Sequence, residues 1–262
     1  MIKVAVSGCY GRMGSAVIAA VNASDDMELV CGVDPNLGAV AEDADYPVFP
    51  SVAEALDAVK ADVMVDFTQP DAAAGNITAA LERGVNCVVG TTGLSHEELE
   101  SLAACAANDA CLFYAPNFTT GAVLMMEFAK VAAKYFPQAE VIEYHHCNKK
   151  DAPSGTAVTT ARLIAEARDG KPSEAPGSET EIDGCKGARG ALVEGIPVHS
   201  VRSMGFVANQ QVIFGSMGQT LSIAHESWDR ESYMPGVLLA IRSVGERSGL
   251  IVGLESFMGG LS

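Results

Sequence analysis

Ile2-Lys3-Val4-Ala5-Val6-Ser7-Gly8-Cys9-Tyr10-Gly11-Arg12-Met13-Gly14 is the stretch from which the fold is read. A short β-branched run over residues 2–7 stops at Gly8, and the small residues from Met13 to Val21 read as a helix. Strand, glycine turn and helix in this order open a dinucleotide-binding sheet. The glycines, spaced G-x-x-G-x-x-G, let the backbone turn tightly and approach a ligand closely, while the first turn of the helix offers unpaired N–H groups to a pyrophosphate. Asp34 closes the next apolar run about 20 residues on, where a carboxylate accepts a ribose hydroxyl. A glycine turn that serves only helix packing is the competing reading, and the strand, helix and acid around it favour the nucleotide.

Outward from this unit, further apolar runs end at the same kind of turn: Leu29 to Val33, Asp62 to Phe67, Val85 to Val89 and Ala110 to Tyr114. Helical patterns lie between them over residues 51–59, 72–83 and 95–108. Strands that are apolar throughout and alternate with helices predict an α/β fold, a Rossmann-type doubly wound parallel sheet covered on both faces, over residues 1–117. After Asn117 the rhythm changes to a long helix over 121–135, a strand over 139–144, a helix over 156–168, and strand-like runs at 197–203, 210–216 and 219–224. Strands without crossover helices predict a second, α+β domain with a mixed or antiparallel sheet over residues 118–226. The tail, 227–262, returns to helix and small residues and is expected to complete the first domain. Residues 171–188, rich in Gly, Pro, Ser and acid, are expected to form a long exposed, mobile loop.

The chain of 262 residues carries 17 basic and 33 acidic side chains, a net charge of −16, which argues against nucleic acid and anionic membrane as partners. No apolar run approaches the ~20 residues of a membrane span, and no signal-peptide pattern opens the chain, so a cytoplasmic protein is expected. Seven cysteines, an odd number without a Cys-x-x-Cys pair, argue against a disulfide framework or a zinc site. Any anionic ligand must then be met by local positive features.

One segment collects such features: Glu140-Val141-Ile142-Glu143-Tyr144-His145-His146-Cys147-Asn148-Lys149-Lys150-Asp151-Ala152-Pro153-Ser154-Gly155-Thr156-Ala157. Two imidazoles and an ammonium repel one another when charged, so their collection points to an anion or a proton transfer. The Pro-Ser-Gly-Thr-Ala that follows reads as a turn opening a helix, with N–H groups for a carboxylate or phosphate. Cys147 beside two histidines invites a metal reading. It is set aside, because adjacent residues of a strand face opposite ways and no further ligand is suitably spaced.

In a doubly wound fold the ligand lies beyond the carboxyl ends of the strands. Candidate cofactor contacts are therefore Gly8, Cys9, Tyr10, Gly11, Arg12 and Met13 in the first turn and Asp34 after the second strand. Gly90, Thr91 and Thr92 follow the fourth, their hydroxyls suited to the nicotinamide ribose. Ala115, Pro116, Asn117 and Phe118 follow the fifth, where an amide and a ring suit the carboxamide and face of a nicotinamide. Pro35 follows Asp34 and no basic residue intervenes before Lys60, so NADH is expected to be preferred, with Arg12 permitting NADPH as well.

With the glycine loop, Asp66 to Pro70, Gly90 to Gly93, Asn117-Phe118-Thr119 and E-x-x-E-x-H-H-x-x-K-x-D-A-P-S-G-T-A in view, the chain resembles the dihydrodipicolinate reductase family from end to end. The resemblance implies reduction of 4-hydroxy-tetrahydrodipicolinate, a cyclic imine dicarboxylate, by NAD(P)H in lysine and diaminopimelate synthesis. It implies that His145 and Lys149 are the catalytic pair, one of them the proton donor, that His146 contacts substrate, and that Gly155 and Thr156 hold a carboxylate. It further implies a cytoplasmic homotetramer assembled through the sheet of the second domain. Arg202 and His225 are read as structural or intersubunit polar residues, and His96 and His199 lack supporting context. The competing functions are another aspartate-pathway dehydrogenase acting on a semialdehyde or on homoserine, the first of which wants a cysteine nucleophile that no suitable turn presents, and a dinucleotide-binding sensor, which has no use for His145, His146 and Lys149 together.

Overall fold

The apolar runs of the first half become strands because both of their faces meet helices. The computed structural model describes residues 1–36, 45–174 and 187–259. It divides into one unit formed by Met1–Thr120 with the chain from Arg230 onward, and a second formed by Gly121–Asp229. The middle of the loop expected over 171–188 lies outside the described residues, as does Cys185.

In the first unit β1 (Ile2–Ser7), β2 (Met27–Val33), β3 (Val48–Phe49), β4 (Val63–Asp66), β5 (Asn86–Val89) and β6 (Cys111–Tyr114) run parallel. The helices are α1 (Arg12–Asn22), α2 (Val52–Ala58), α3 (Pro70–Leu81) and α4 (His96–Ala103). On α1 the buried residues Gly14, Val17, Ile18 and Val21 fall at i, i+3, i+4 and i+7, one stripe against the sheet. Helix α3 starts two residues before the expected Ala72, because Pro70 occupies its first turn, where no N–H is needed. Helix α4 opens on a Ser95–Glu98 capping box and stops at Ala103, short of the expected 108, before left-handed Asn108 and Asp109 lead the chain into β6.

The second unit holds α5 (Thr120–Ala132), which begins on the last residue of the first, then β7 (Gln138–His145) and α6 (Gly155–Ala167). Strands β8 (Ala191–Val193), β9 (Ile196–Arg202), β10 (Ala208–Ser216) and β11 (Gln219–Ser227) follow, in the order β11-β10-β7-β9-β8. The β7–β9 pair is parallel and the others antiparallel, so the sheet is mixed. Strand β8, absent from the sequence expectation, forms a two-residue hairpin with β9 through Glu194 and Gly195, both at positive φ. Val141, Val198, Val212 and Phe214 pack on Ala157, Ala161 and Ile164 of α6 and on Met125 and Ala129 of α5.

The tail rejoins the first unit as α7 (Met234–Val244) and β12 (Gly249–Val252), the latter pairing parallel with β6. Arg242 of α7 clamps Asp26 at 2.7 and 2.9 Å. The completed sheet has the order β12-β6-β5-β4-β1-β2-β3. The chain therefore leaves β1 towards β2 on one side and β4 lies on the other, so the switch in direction falls between β1 and β4, at the turn of the glycine loop.

Candidate active site

The nucleotide half follows from backbone geometry at the end of β1. Gly8 has φ +79°, and its N–H donates to the Val33 carbonyl at 2.8 Å. A Cβ on Gly14 would overlap the Gly8 carbonyl, so α1 packs against the loop as only glycine allows. Gly11 caps α1 without a side-chain hydrogen bond, and the first turn carries no acid, which leaves its N–H groups and dipole open to an anion. Asp34, after β2, accepts from the Asn36 N–H at 3.0 Å. A tight glycine turn, an uncapped helix start and an acid beyond the second strand together fit a dinucleotide. Gly11 and Arg12 are exposed there, and Tyr10 and Met13 half-buried, while the Cys9 thiol is buried with its pKa pushed up to about 11 by that burial and by Asp34.

Two side chains expected to touch the nicotinamide are buried. The Thr91 hydroxyl, 4% exposed, donates to buried Asp66 at 2.6 Å and accepts from the Thr68 N–H at 2.7 Å. Asp66 also accepts from the Thr68 hydroxyl and from Asn76, at 2.8 Å each, so Thr91 is fixed inside this network rather than presented to a ribose. The Phe118 ring, 1% exposed, lies 5.6 Å from Phe67 and 5.8 Å from Phe113, a core position. Ala115 is likewise buried. Contacts from Thr91, Ala115 and Phe118 would have to come from their backbones. Thr92 and Pro116 are exposed, and the Asn117 side chain accepts from the Thr119 N–H at 2.9 Å.

The histidine and lysine segment lies wholly in the second unit. Residues two apart on a strand share a face, so Glu143 and His145 of β7 point the same way. Parallel pairing sets Ser200 and Arg202 of β9 beside them, in register Glu143↔Ser200 and His145↔Arg202. Glu143 is fully buried. Its carboxylate accepts from His145 Nδ1, from both terminal nitrogens of Arg202 at 2.8 Å, and from the Ser154 N–H at 3.2 Å. Burial alone would push the Glu143 pKa up, but the bonds from Arg202, Ser200 and His145 outweigh it and hold the carboxyl below its ordinary range. Burial lowers the proton affinity of His145, and the charges on Lys149 and Arg202 act with it against the pull of Glu143. With Nδ1–H committed to Glu143, the neutral ring keeps Nε2 for a ligand.

Beyond β7, Lys149 pairs with Asp151 at 2.8 Å, and the Asp151 carbonyl accepts from Arg202 at 2.7 Å. His146 is exposed. Ser154 caps α6, accepting from the Ala157 N–H at 3.2 Å. Gly155 is exposed, and a Cβ there would meet nothing within 4 Å, so packing does not require the glycine. Arg202, expected to be structural or intersubunit, belongs to this network. His199 pairs with Glu140 at 2.8 Å and His96 with Glu100 at 3.4 Å, both outside it. Among the described residues no group of three His, Cys, Asp or Glu side chains is gathered to hold a metal, and no helix is long and apolar enough to cross a membrane.

The family model for the N-terminal part of dihydrodipicolinate reductase matches residues 2–118, and that for its C-terminus matches residues 121–258. The chain belongs to the dihydrodipicolinate reductase family. A Listeria welshimeri protein named 4-hydroxy-tetrahydrodipicolinate reductase is 48% identical over 98% of this chain and 100% of its own length. A protein of the same name from Mycolicibacterium vanbaalenii is 46% identical over 98% and 99%. The dipicolinate-bound dihydrodipicolinate reductase from Paenisporosarcina sp. TG-14 superposes with a TM-score of 0.87 at 42% identity, over 98% of this chain and 99% of that one. An amine dehydrogenase from Mycobacterium smegmatis, 14% identical with a TM-score of 0.65, shares the fold. As a dihydrodipicolinate reductase family member the chain is a nicotinamide-dependent oxidoreductase.

Proposed function

We propose that the chain reduces 4-hydroxy-tetrahydrodipicolinate to tetrahydrodipicolinate in diaminopimelate and lysine biosynthesis, the 4-hydroxyl leaving as water and the nicotinamide hydride and one proton being added, with Lys149 as the proton donor. The observation that carries this reading is the joining of His145, the Lys149 loop and the start of α6 through one buried carboxylate, Glu143. Gly155 and Thr156, at the N-terminus of α6, take one substrate carboxylate through N–H groups and a hydroxyl. His146 contacts the substrate, and Lys149 balances remaining negative charge. Bound on the glycine loop, the reduced nicotinamide supplies the hydride. Negative charge that develops on the substrate ring is quenched by a proton from Lys149 Nζ, because lowered proton affinity leaves His145 neutral near pH 7. His145 Nε2 accepts a hydrogen bond from the substrate.

The deciding assay follows NADH oxidation when pyruvate and aspartate semialdehyde are condensed in situ. Oxidation with the condensed product and none with either precursor is expected; turnover of the semialdehyde alone would indicate another aspartate-pathway dehydrogenase. In the same assay kcat/KM should be higher with NADH than with NADPH, since the Asp34 carboxylate repels a 2′-phosphate and no basic residue follows it before Lys60. Equal efficiencies would defeat that preference. The enzyme acts in the cytoplasm as a homotetramer built on the sheet of the second unit, with residues 1–117 and 227–262 as the nucleotide domain and 118–226 as the substrate domain. A monomeric or dimeric mass in light scattering would count against that assembly.

A further inference from the structure

Glu143 is more richly bonded than stability alone requires. A carboxylate with no solvent exposure is tolerated when its lone pairs are met, and the two nitrogens of Arg202 already neutralise it. Replacing such a buried pair by apolar side chains is often neutral or stabilising, so the pair is weak support for a purely structural role. The Arg202 Nε is itself buried without a hydrogen-bond partner, a cost that a residue placed only for stability would not carry. What distinguishes Glu143 is where its other bonds go: one to His145 Nδ1, one to the Ser154 N–H that starts α6, and, through Arg202 and the Asp151 carbonyl, one link to the loop that holds Lys149.

We propose that Glu143, gripped by Arg202, is a positioning residue for the reaction: it holds His145 as the Nδ1–H tautomer with Nε2 presented to the ligand, and it keeps the start of α6 and the Lys149 loop in register with that ring. The inference rests on the catalytic reading of His145 and Lys149. It assigns no proton transfer to Glu143, which stays a carboxylate throughout. A fixed tautomer matters because a rotated or alternately protonated imidazole would present a donor where the substrate needs an acceptor.

The test uses the full-length enzyme with NADH bound. Nitrogen-15 NMR of the histidine rings should show His145 protonated at Nδ1 in the wild-type protein; an Nε2–H tautomer there overturns the proposal without any variant. Glu143→Gln should lower turnover at least about tenfold while the KM for NADH changes less than about twofold, and it should mix the His145 tautomers. Glu143→Gln combined with His145→Ala should be no slower than His145→Ala alone, because a residue that acts through another adds nothing once that partner is gone. Additive losses, or an unchanged tautomer in Glu143→Gln, would mean a merely structural role. If Glu143→Gln does not fold, Arg202→Lys serves in its place: it keeps a charge on Glu143 but loses the fork, and a raised substrate KM with the tautomer preserved is expected, whereas an unchanged KM counts against the proposal. Near-normal turnover in His145→Ala would remove the catalytic reading, while the tautomer measurement would still report on Glu143.

Discussion

Alanine at Lys149 is expected to lower turnover at least about tenfold, and alanine at His145 likewise, the low end of what a positioned acid or base contributes. Near-normal turnover in both would sink the assignment. The pH dependence separates their roles. A proton donor must be protonated, so activity is lost as pH rises through its pKa, and kcat/KM reports that pKa in the free enzyme. Burial, with Lys149 and Arg202 nearby, holds the His145 pKa below the ordinary 6.5, against the pull of Glu143. A His145 donor would therefore make kcat/KM fall with rising pH already below 6.5. With Lys149 as donor and His145 Nε2 as an acceptor, the ring must be neutral, so kcat/KM falls with falling pH below 6.5 instead of with rising pH, and that is the expected profile. His145→Ala should remove that acid-side fall, because the ring accepts a hydrogen bond and gives no proton.

The sheet of the first unit was legible because its strands are covered on both faces and so read as unbroken apolar runs, each stopped by a turn residue. Strands β3 and β8, with two and three residues, are too short to show a pattern and exist through pairing with a neighbour. The glycine loop was legible for a different reason: its turn is local, with Gly8 at positive φ and Gly14 lying against the Gly8 carbonyl six residues before it. The roles of Glu143 and Arg202 were not. Glu143 and His145 stand two apart and share a strand face, a signal present in the sequence, but the partner that keeps Glu143 charged arrives from β9 through a register that nothing local encodes. Thr91 shows the same limit in reverse. Its turn suits a ligand, and only the burial of Asp66 beneath it decides that the hydroxyl points inward.

Alanine at Gly14 is expected to be the most damaging single methyl in the nucleotide half. The added Cβ would overlap the Gly8 carbonyl and come within 2.9 Å of the Cys9 Cα, both backbone atoms that no rotamer change can move aside. Either α1 shifts away from β1 or the loop opens, and each displaces the N–H groups proposed to receive the pyrophosphate. Overpacking of this kind costs about 1–3 kcal/mol of stability, and NADH affinity should drop at least about tenfold, the equivalent of ~1.4 kcal/mol. Two further alanines make the interpretation specific. Gly75, inside α3, has open space where its Cβ would go, so alanine there should leave NADH binding unchanged and stability equal or higher by up to about 1 kcal/mol. Gly155 also has open space, so its alanine variant should fold and bind NADH normally while the new methyl crowds the carboxylate site and raises the substrate KM. Calorimetric titration with NADH and a substrate saturation curve measure both quantities. NADH affinity in Gly14→Ala equal to that in Gly75→Ala would show that the close approach of α1 to the loop is not what binds the nucleotide.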